Sequence, residues 1–258
     1  MNYSAKYQAP SVKKAFEILK LITISEQGQR ISDLSKSLGI SKSTVHGIAT
    51  VLEELGTIKR DLLTKRYKPG LTLLELGKAA YFQFDFKAFA RPMLEALRDK
   101  TGESVFLGAT NHDHVTILDT VDSKNNIKIT APIGAVIPLT AGATGKVLLA
   151  SLTDVCARDV IHTKGLKRYT RHTITDPDQY LLEIKRVREI GCAWDDEEYI
   201  IGVRAVAALI QAGQAQPLAL WVVGFKSNIR DDKMEMLAEA VKSTANILGR
   251  NTEEYPRP

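Results

Sequence analysis

Cysteine is nearly missing from this chain: 258 residues hold two, Cys156 and Cys192. Two thiols supply neither a disulfide framework nor a zinc-ligand spacing, and they read as ordinary reduced cysteines. There is no run of about 18 apolar residues, the length that a membrane-spanning helix needs. The opening stretch, MNYSAKYQAPSVKKAF, has no apolar signal core. The expectation is a cytoplasmic protein without membrane contact. No Gly-x-Ser-x-Gly elbow occurs, and Ser104, Ser151 and Cys192 stand in settings that suggest no activated nucleophile. An enzyme reading therefore has little to rest on, and neither a cofactor nor a metal is expected. Internal repeats and low-complexity runs are also lacking.

What is present is an ordinary globular composition, 44% hydrophobic and 25% charged. The length permits one large domain or two ordinary ones. The net charge is +5, and its distribution is uneven. Residues 1–88 carry 14 Lys/Arg against 8 Asp/Glu, whereas residues 89–258 carry 21 against 22. All the positive excess lies in the first third, which suggests that this third meets a polyanion.

Periodicity divides the first third. After a tail over 1–9, Pro10 and Ser11 open a helix, with Ser11 as N-cap and Val12, Ala15, Phe16, Leu19 and Ile22 on its apolar face. A second helix fits Ile31 to Leu38, and Gly39 follows as a left-handed C-cap. Ser41 caps a third helix to about Leu55, with Val45, Ile48, Ala49, Leu52 and Leu55 inward. Thr57 to Pro69 reads as a hairpin turning at Asp61–Thr64. Leu71 to about Phe86 reads as a helix connecting the halves, with Leu73, Leu74, Leu76, Ala80 and Phe84 marking it. Beyond it, helices fit Phe89–Thr101, Gly145–Ser151, Pro177–Ile190 and Asp231–Leu248. Strands fit Ser104–Ala109, Val115–Val121, Ile127–Thr130, Val203–Ile210 and Leu218–Val223. The whole is α+β: a winged helix-turn-helix over 10–70, a linker helix over 71–88, a sheet with helices on one face over 89–251, and a tail over 252–258.

Two helices joined at Gly39-Ile40 form a helix-turn-helix whose second member suits the DNA major groove. Its first turn offers Ser41, Lys42, Ser43, Thr44 and His46, hydroxyl, cationic and imidazole groups for phosphates and base edges. The free N–H groups of the helix start favour phosphate as well. In the hairpin, Lys59, Arg60, Lys65, Arg66 and Lys68 put five cations within ten residues against one acid, Asp61, with Tyr67 interleaved. Such a wing would make binding steeply salt-dependent. A three-helix packing unit with a charged hairpin is the bland alternative; the order of the parts favours double-stranded DNA.

The run Leu38-Gly39-Ile40-Ser41-Lys42-Ser43-Thr44-Val45-His46, followed by Leu52, Leu55-Gly56, Lys59-Arg60 and Arg66-Tyr67, resembles the DNA-binding domain of the IclR family of bacterial transcription regulators. One departure is Gly47, where family members usually carry Arg. The resemblance continues through Ala131–Gly134, Pro138-Leu139, the AGATGKVLLA run Ala141–Ala150, Tyr169-Thr170, Thr173–Thr175 and the run Gly191–Ala208. It implies a GAF-like effector-binding domain, control of a catabolic operon as repressor or activator, and homodimers that assemble into tetramers on DNA.

Each stretch has its own physics too. Gly142-Ala143-Thr144-Gly145-Lys146 is not a phosphate-binding P-loop, because Thr140 and Val147 stand where Gly and Ser/Thr are required. It is a small-residue loop opening a helix: either a tight turn, or a place where Ala143, Thr144 and Gly145 let an anionic ligand approach backbone N–H groups. Asp195-Asp196-Glu197-Glu198 could hold a metal, form a catalytic pair or be a solvated loop. Four consecutive carboxylates cannot converge on one ion, and His112 and His114 read as surface residues. The resemblance puts Asp195 at the effector pocket and leaves the others as loop acids. It also implies pocket walls from Ile129, Ile137, Ala205, Trp221 and Val223. Relatives that bind small keto acids carry two serines on the last strand, where this chain reads Leu220-Trp221-Val222-Val223. The expected effector is therefore a small organic acid with an apolar or aromatic body. Register on this strand leaves open whether Trp221 or Val222 faces inward.

Overall fold

The computed structural model describes residues 9–82, 86–111, 114–211 and 217–251. Nearly all of both tails, Phe84 and His112 lie outside these. The chain divides into two compact units, residues 1–84 and 85–258.

In the first unit, helices α1 (Pro10–Thr23), α2 (Ile31–Leu38) and α3 (Lys42–Glu54) precede strands β1 (Ile58–Arg60) and β2 (Tyr67–Pro69) and helix α4 (Leu71–Phe82). Ala9, not Ser11, is the N-cap of α1, because Pro10 already occupies the first helical position. The apolar face of α1 is also rotated from the expected one. Ile18 and Ile22 are fully buried with Leu34, Val45, Ala49, Leu52, Ile58 and Tyr67, whereas Val12 and Phe16 are exposed. Leu55, expected inward, is exposed as well. Gly39 ends α2 at φ 64°, the left-handed cap that the sequence predicts.

The second unit is built on a six-stranded antiparallel sheet of order β5-β4-β3-β8-β7-β6. Its strands are β3 (Ser104–Asn111), β4 (His114–Val121), β5 (Val136–Pro138), β6 (Ala193–Asp196), β7 (Val203–Ile210) and β8 (Leu218–Phe225). The helices are α5 (Phe86–Thr101), α6 (Gly142–Ala150), α7 (Asp154–Lys164), α8 (Pro177–Ile190) and α9 (Asp231–Asn251). The strand expected over Ile127–Thr130 is irregular chain, and Ile127 is exposed.

Helices cover both faces of this sheet, not one. Leu218, Leu220 and Val222 of β8, with Val206, Ala208 and Ile210 of β7, share one apolar core with α5 and α9; Ala219, Trp221 and Val223, with Ala205 and Ala207, share a second with α6, α7 and α8. The central strands are apolar at nearly every position, and a strand of that kind is stable only between two layers. The alternation also settles the register: Trp221 and Val223 face α6, and Val222 faces α9.

Candidate DNA-binding and effector sites

The first turn of α3 is held by its own hydroxyls. Ser41 Oγ accepts the Thr44 N–H at 3.1 Å and shares hydrogen bonds with Ser43 Oγ at 2.9 Å and Thr44 Oγ1 at 2.8 Å. Ser35 Oγ, donating to Ile40 O at 2.6 Å, fixes the turn between the two helices. Ser41, Lys42, Ser43 and His46 are exposed, and Thr44 is half-buried behind them. The His46 ring is steadied by Thr50 Oγ1 at 3.3 Å from Nδ1.

The wing is anchored at its base. Gln29 and Tyr67 exchange backbone hydrogen bonds of 3.0 and 2.7 Å, so the hairpin is tied to the chain before α2. Gly28 makes this approach feasible: at φ +77°, a Cβ there would lie 2.7 Å from Tyr67 O. Of the cations, Lys59, Lys65 and Lys68 are exposed. Arg66 is half-buried and donates from Nη1 to Gly28 O at 2.9 Å, and the Arg60 guanidinium lies 5.7 Å from the Tyr67 ring centre. Tyr67 itself is 1% exposed. It is a core residue covered by Arg60, which corrects its place among the DNA contacts: an aromatic between cations on a three-residue strand had one inward position to take, and filled it.

In the second unit, three of the sequence stretches converge on the acidic turn after β6. Asp195 Oδ1 accepts the N–H groups of Glu198 at 2.7 Å and Tyr199 at 3.4 Å. Thr170 Oγ1 donates to Glu197 O and Thr173 Oγ1 to Glu198 O, both at 2.7 Å. Lys146, on α6 and almost wholly buried, donates from Nζ to Trp194 O at 2.9 Å and to Glu198 Oε1 at 2.5 Å. Asp196 pairs with Arg204 at 2.7 Å, and Glu197 with Lys226. The four acids are therefore individually engaged, which revises their reading as loop acids: Glu197 is buried and Glu198 half-buried.

Their electrostatics divide accordingly. Burial holds the Asp195 and Glu198 carboxyls above their usual range, against the pull of backbone N–H groups and Lys146. The Arg204 guanidinium holds Asp196 below it, and the Lys226 ammonium does so for Glu197. Nearby on α8, the Tyr180 hydroxyl is fully buried without a hydrogen-bond partner, and burial next to Glu198 and Asp195 pushes its pKa up.

The small-residue loop proves to be shaped by packing. The Gly145 N–H is bonded to Ala141 O at 3.2 Å, and a Cβ on Gly145 would collide with Leu139 O. Gly145 is therefore not a free donor for a ligand. A Cβ on Gly142, at φ +55°, would collide with the Asp195 carboxylate, which lies against the start of α6. Ala143, Thr144, Ala205, Trp221 and Val223 are buried here, with Ile129 and Ile137 half-buried against the same cluster. Trp221 stacks on Phe106 at 5.5 Å and 10°, and the absent side chain of Gly108 admits its ring. Lys146, Gly142 and Phe106 were not foreseen, although a lone Lys in the helix GATGKVLLA was a usable signal. Among the described residues, no group of His, Cys, Asp and Glu is arranged to hold a metal, and no helix is long and apolar enough to cross a membrane.

A winged helix-turn-helix followed in the chain by a sheet unit with a buried polar turn defines a DNA-binding regulator with a separate effector domain. The comparisons assign the lineage. Residues 11–62 match the IclR helix-turn-helix domain, and residues 79–250 match the bacterial transcriptional regulator IclR C-terminal family. The chain belongs to the IclR family of transcriptional regulators. It is 28% identical over 244 residues to the acetate operon repressor of Salmonella typhimurium, covering 93% of this chain and 89% of that one. It is 30% identical to the HTH-type transcriptional regulator BhcR of Paracoccus denitrificans, covering 92% and 85%. Among solved structures, an IclR transcriptional regulator from Alicyclobacillus acidocaldarius matches with TM-score 0.81 at 27% identity, over 95% of this chain and all of that one. An IclR homologue from Microbacterium hydrocarbonoxydans, complexed with 4-hydroxybenzoate, shares the fold with TM-score 0.73 at 19% identity, over 93% and 99%.

Proposed function

We propose that this regulator controls a catabolic operon as a homodimer and responds to a small organic acid with an apolar or aromatic body. DNA contact is assigned to Ser41, Lys42, Ser43, Thr44, His46, Lys59, Arg60, Lys65 and Arg66 in the module over 10–70, and effector contact to the domain over 89–251, with 71–88 as linker. The observation that carries the effector reading is the inward register of Trp221 and Val223 beside Phe106 and Ala205. Apart from the indole N–H of Trp221, this wall has no group to hydrogen-bond a second polar end, so a very polar ligand would leave groups unsatisfied at about 1–3 kcal/mol each. The relative holding 4-hydroxybenzoate provides an independent reason to place aromatic acids in the first panel. Asp195 spends one oxygen on backbone N–H groups, and its other oxygen would accept a ligand hydroxyl. Calorimetry with matched aromatic and short keto acids tests this. Aromatic acids should bind tighter, and Trp221→Ser should reverse the order; keto acids binding tighter to the unaltered chain would overturn it.

The dimer reading rests on an apolar surface without a partner inside its own unit: Val12 and Phe16 on α1, and Leu71, Leu74 and Leu76 on α4, are each more than half exposed. Two modules on a two-fold axis read a palindrome, where one alone offers a footprint of only about 600–1,000 Å². Sedimentation showing only monomers at micromolar concentration, with and without DNA, would contradict it.

A further inference from the structure

The tip of the wing carries two side chains that the recognition reading leaves unused. Leu62 is 77% exposed and Leu63 94%. The turn that presents them is tightly pinned. Asp61 Oδ1 accepts the N–H groups of Leu63 and Thr64, both at 2.9 Å. Asp61 N donates to Arg66 O at 2.8 Å, and Lys65 N to Asp61 O at 2.9 Å. Lys65 closes the turn in the left-handed region, at φ 59°. A single exposed leucine needs no explanation. Here, however, two adjacent leucines stand on a turn whose backbone bonds keep it from folding over to cover them. Lys59, Lys65 and Lys68 are exposed in the same hairpin. Its one acid, Asp61, is engaged by the turn's own N–H groups, which hold its carboxyl below the usual range.

We propose that Leu62 and Leu63 form an apolar wedge that enters the DNA minor groove while α3 occupies the major groove. The proposal rests on the DNA-binding reading of this unit and deepens it. The minor groove joins a strong negative potential to apolar sugar walls, and cations around an inserted apolar side chain are the set that minor-groove binders use to unstack and bend a duplex. In the major groove, two leucines could meet only thymine methyl groups, and the hydrogen-bonding edges there would stay unread. A second protein copy is disfavoured by charge, because the same cations would face one another across a two-fold axis. The rigidity of the turn favours insertion, since little conformational freedom remains to be lost when the tip is immobilised.

The test uses the full chain and a duplex selected by that chain from fragments of the source genome. Affinity, salt dependence and bend angle, the last from energy transfer between end-labelled fluorophores, are compared for the unaltered chain, L62S/L63S and L62M/L63M. Serine preserves the turn, whose bonds run through the backbone and Asp61, and unchanged thermal unfolding checks this. The serine pair should bind roughly ten-fold or more weakly, as expected for apolar side chains left without burial. It should also bend the duplex less, with the salt slope unaltered because no phosphate contact is removed. The methionine pair should retain both properties. Equal affinity and equal bend for the serine pair would overturn the wedge, as would weaker binding with an unchanged bend. A changed sedimentation coefficient of the DNA-free chain, with DNA binding intact, would overturn it in favour of protein contact. Failure of the DNA-binding reading itself has a different signature: the unaltered chain would select no fragment.

Discussion

Two glycines with opposite structural contexts yield opposite predictions. Gly47 lies in the exposed middle of α3, and a Cβ there would meet nothing within 4 Å. Glycine in a helix interior costs about 1 kcal/mol relative to alanine. Gly47→Ala should therefore raise stability by roughly 0.5–1 kcal/mol, read as a higher urea midpoint for the helical circular-dichroism signal. A lower midpoint would mean that this helix is not formed as described. Gly142 is the reverse case. Its φ of +55° and its contact with the Asp195 carboxylate both reject a side chain. Gly142→Ala should destabilise the second unit by about 2 kcal/mol or more through strain and displaced packing. It should also abolish any response to effector while leaving DNA binding at low temperature unchanged. An intact response would detach Asp195 from the effector site.

At the level of elements, α3 and α6 owe their positions to different forces. Helix α3 is an amphipathic helix with a hydroxyl cap, so Ser41→Ala should cost about 0.5–2 kcal/mol, the usual worth of such a cap. Because Thr44 shares that cap, the cleaner test of base recognition is Lys42→Ala with His46→Ala. The pair should weaken operator binding by about 1–3 kcal/mol per base contact in a gel-shift titration, with stability unchanged. Unchanged affinity would remove this helix face from the DNA interface. Helix α6 is buried nearly all round, and Lys146 at its centre is neutralised by Glu198, with Glu183 at 3.7 Å. Lys146→Met leaves the Glu198 carboxylate, only 14% exposed, without its partner and should cost about 3–5 kcal/mol. Adding Glu198→Gln should recover much of that loss, which a thermal-unfolding comparison of the two variants would show. No recovery would mean that Lys146 acts through packing, not charge.

At the level of the whole molecule, DNA binding and assembly should fall together. If α1 and α4 supply the dimer surface, Phe16→Glu with Leu74→Glu, both exposed positions, should leave the unit folded. The variant should sediment as a monomer and lose most of its operator affinity, since two half-sites then bind independently. A monomeric variant with full affinity would separate the two properties.

The sequence by itself determined the elements whose stabilising interactions are local: the helix-turn-helix with its Ser41 and Gly39 caps, the hairpin, and Pro177–Ile190 as a helix. Caps, turns and periodicity act over a few residues and so can be read from neighbours in the chain. It also carried the family. Tertiary structure alone decided which face of α1 is inward, that Tyr67 belongs to the core, that helices cover both sides of the sheet, and that Trp221 rather than Val222 faces α6. It alone separated the acids at 195–198 into four different environments, by bringing Lys146, Arg204 and Lys226 to them from other elements. A charge or an aromatic ring has no inherent direction along the chain. Its role is fixed by partners on other elements, and only the folded packing brings those partners into contact with it.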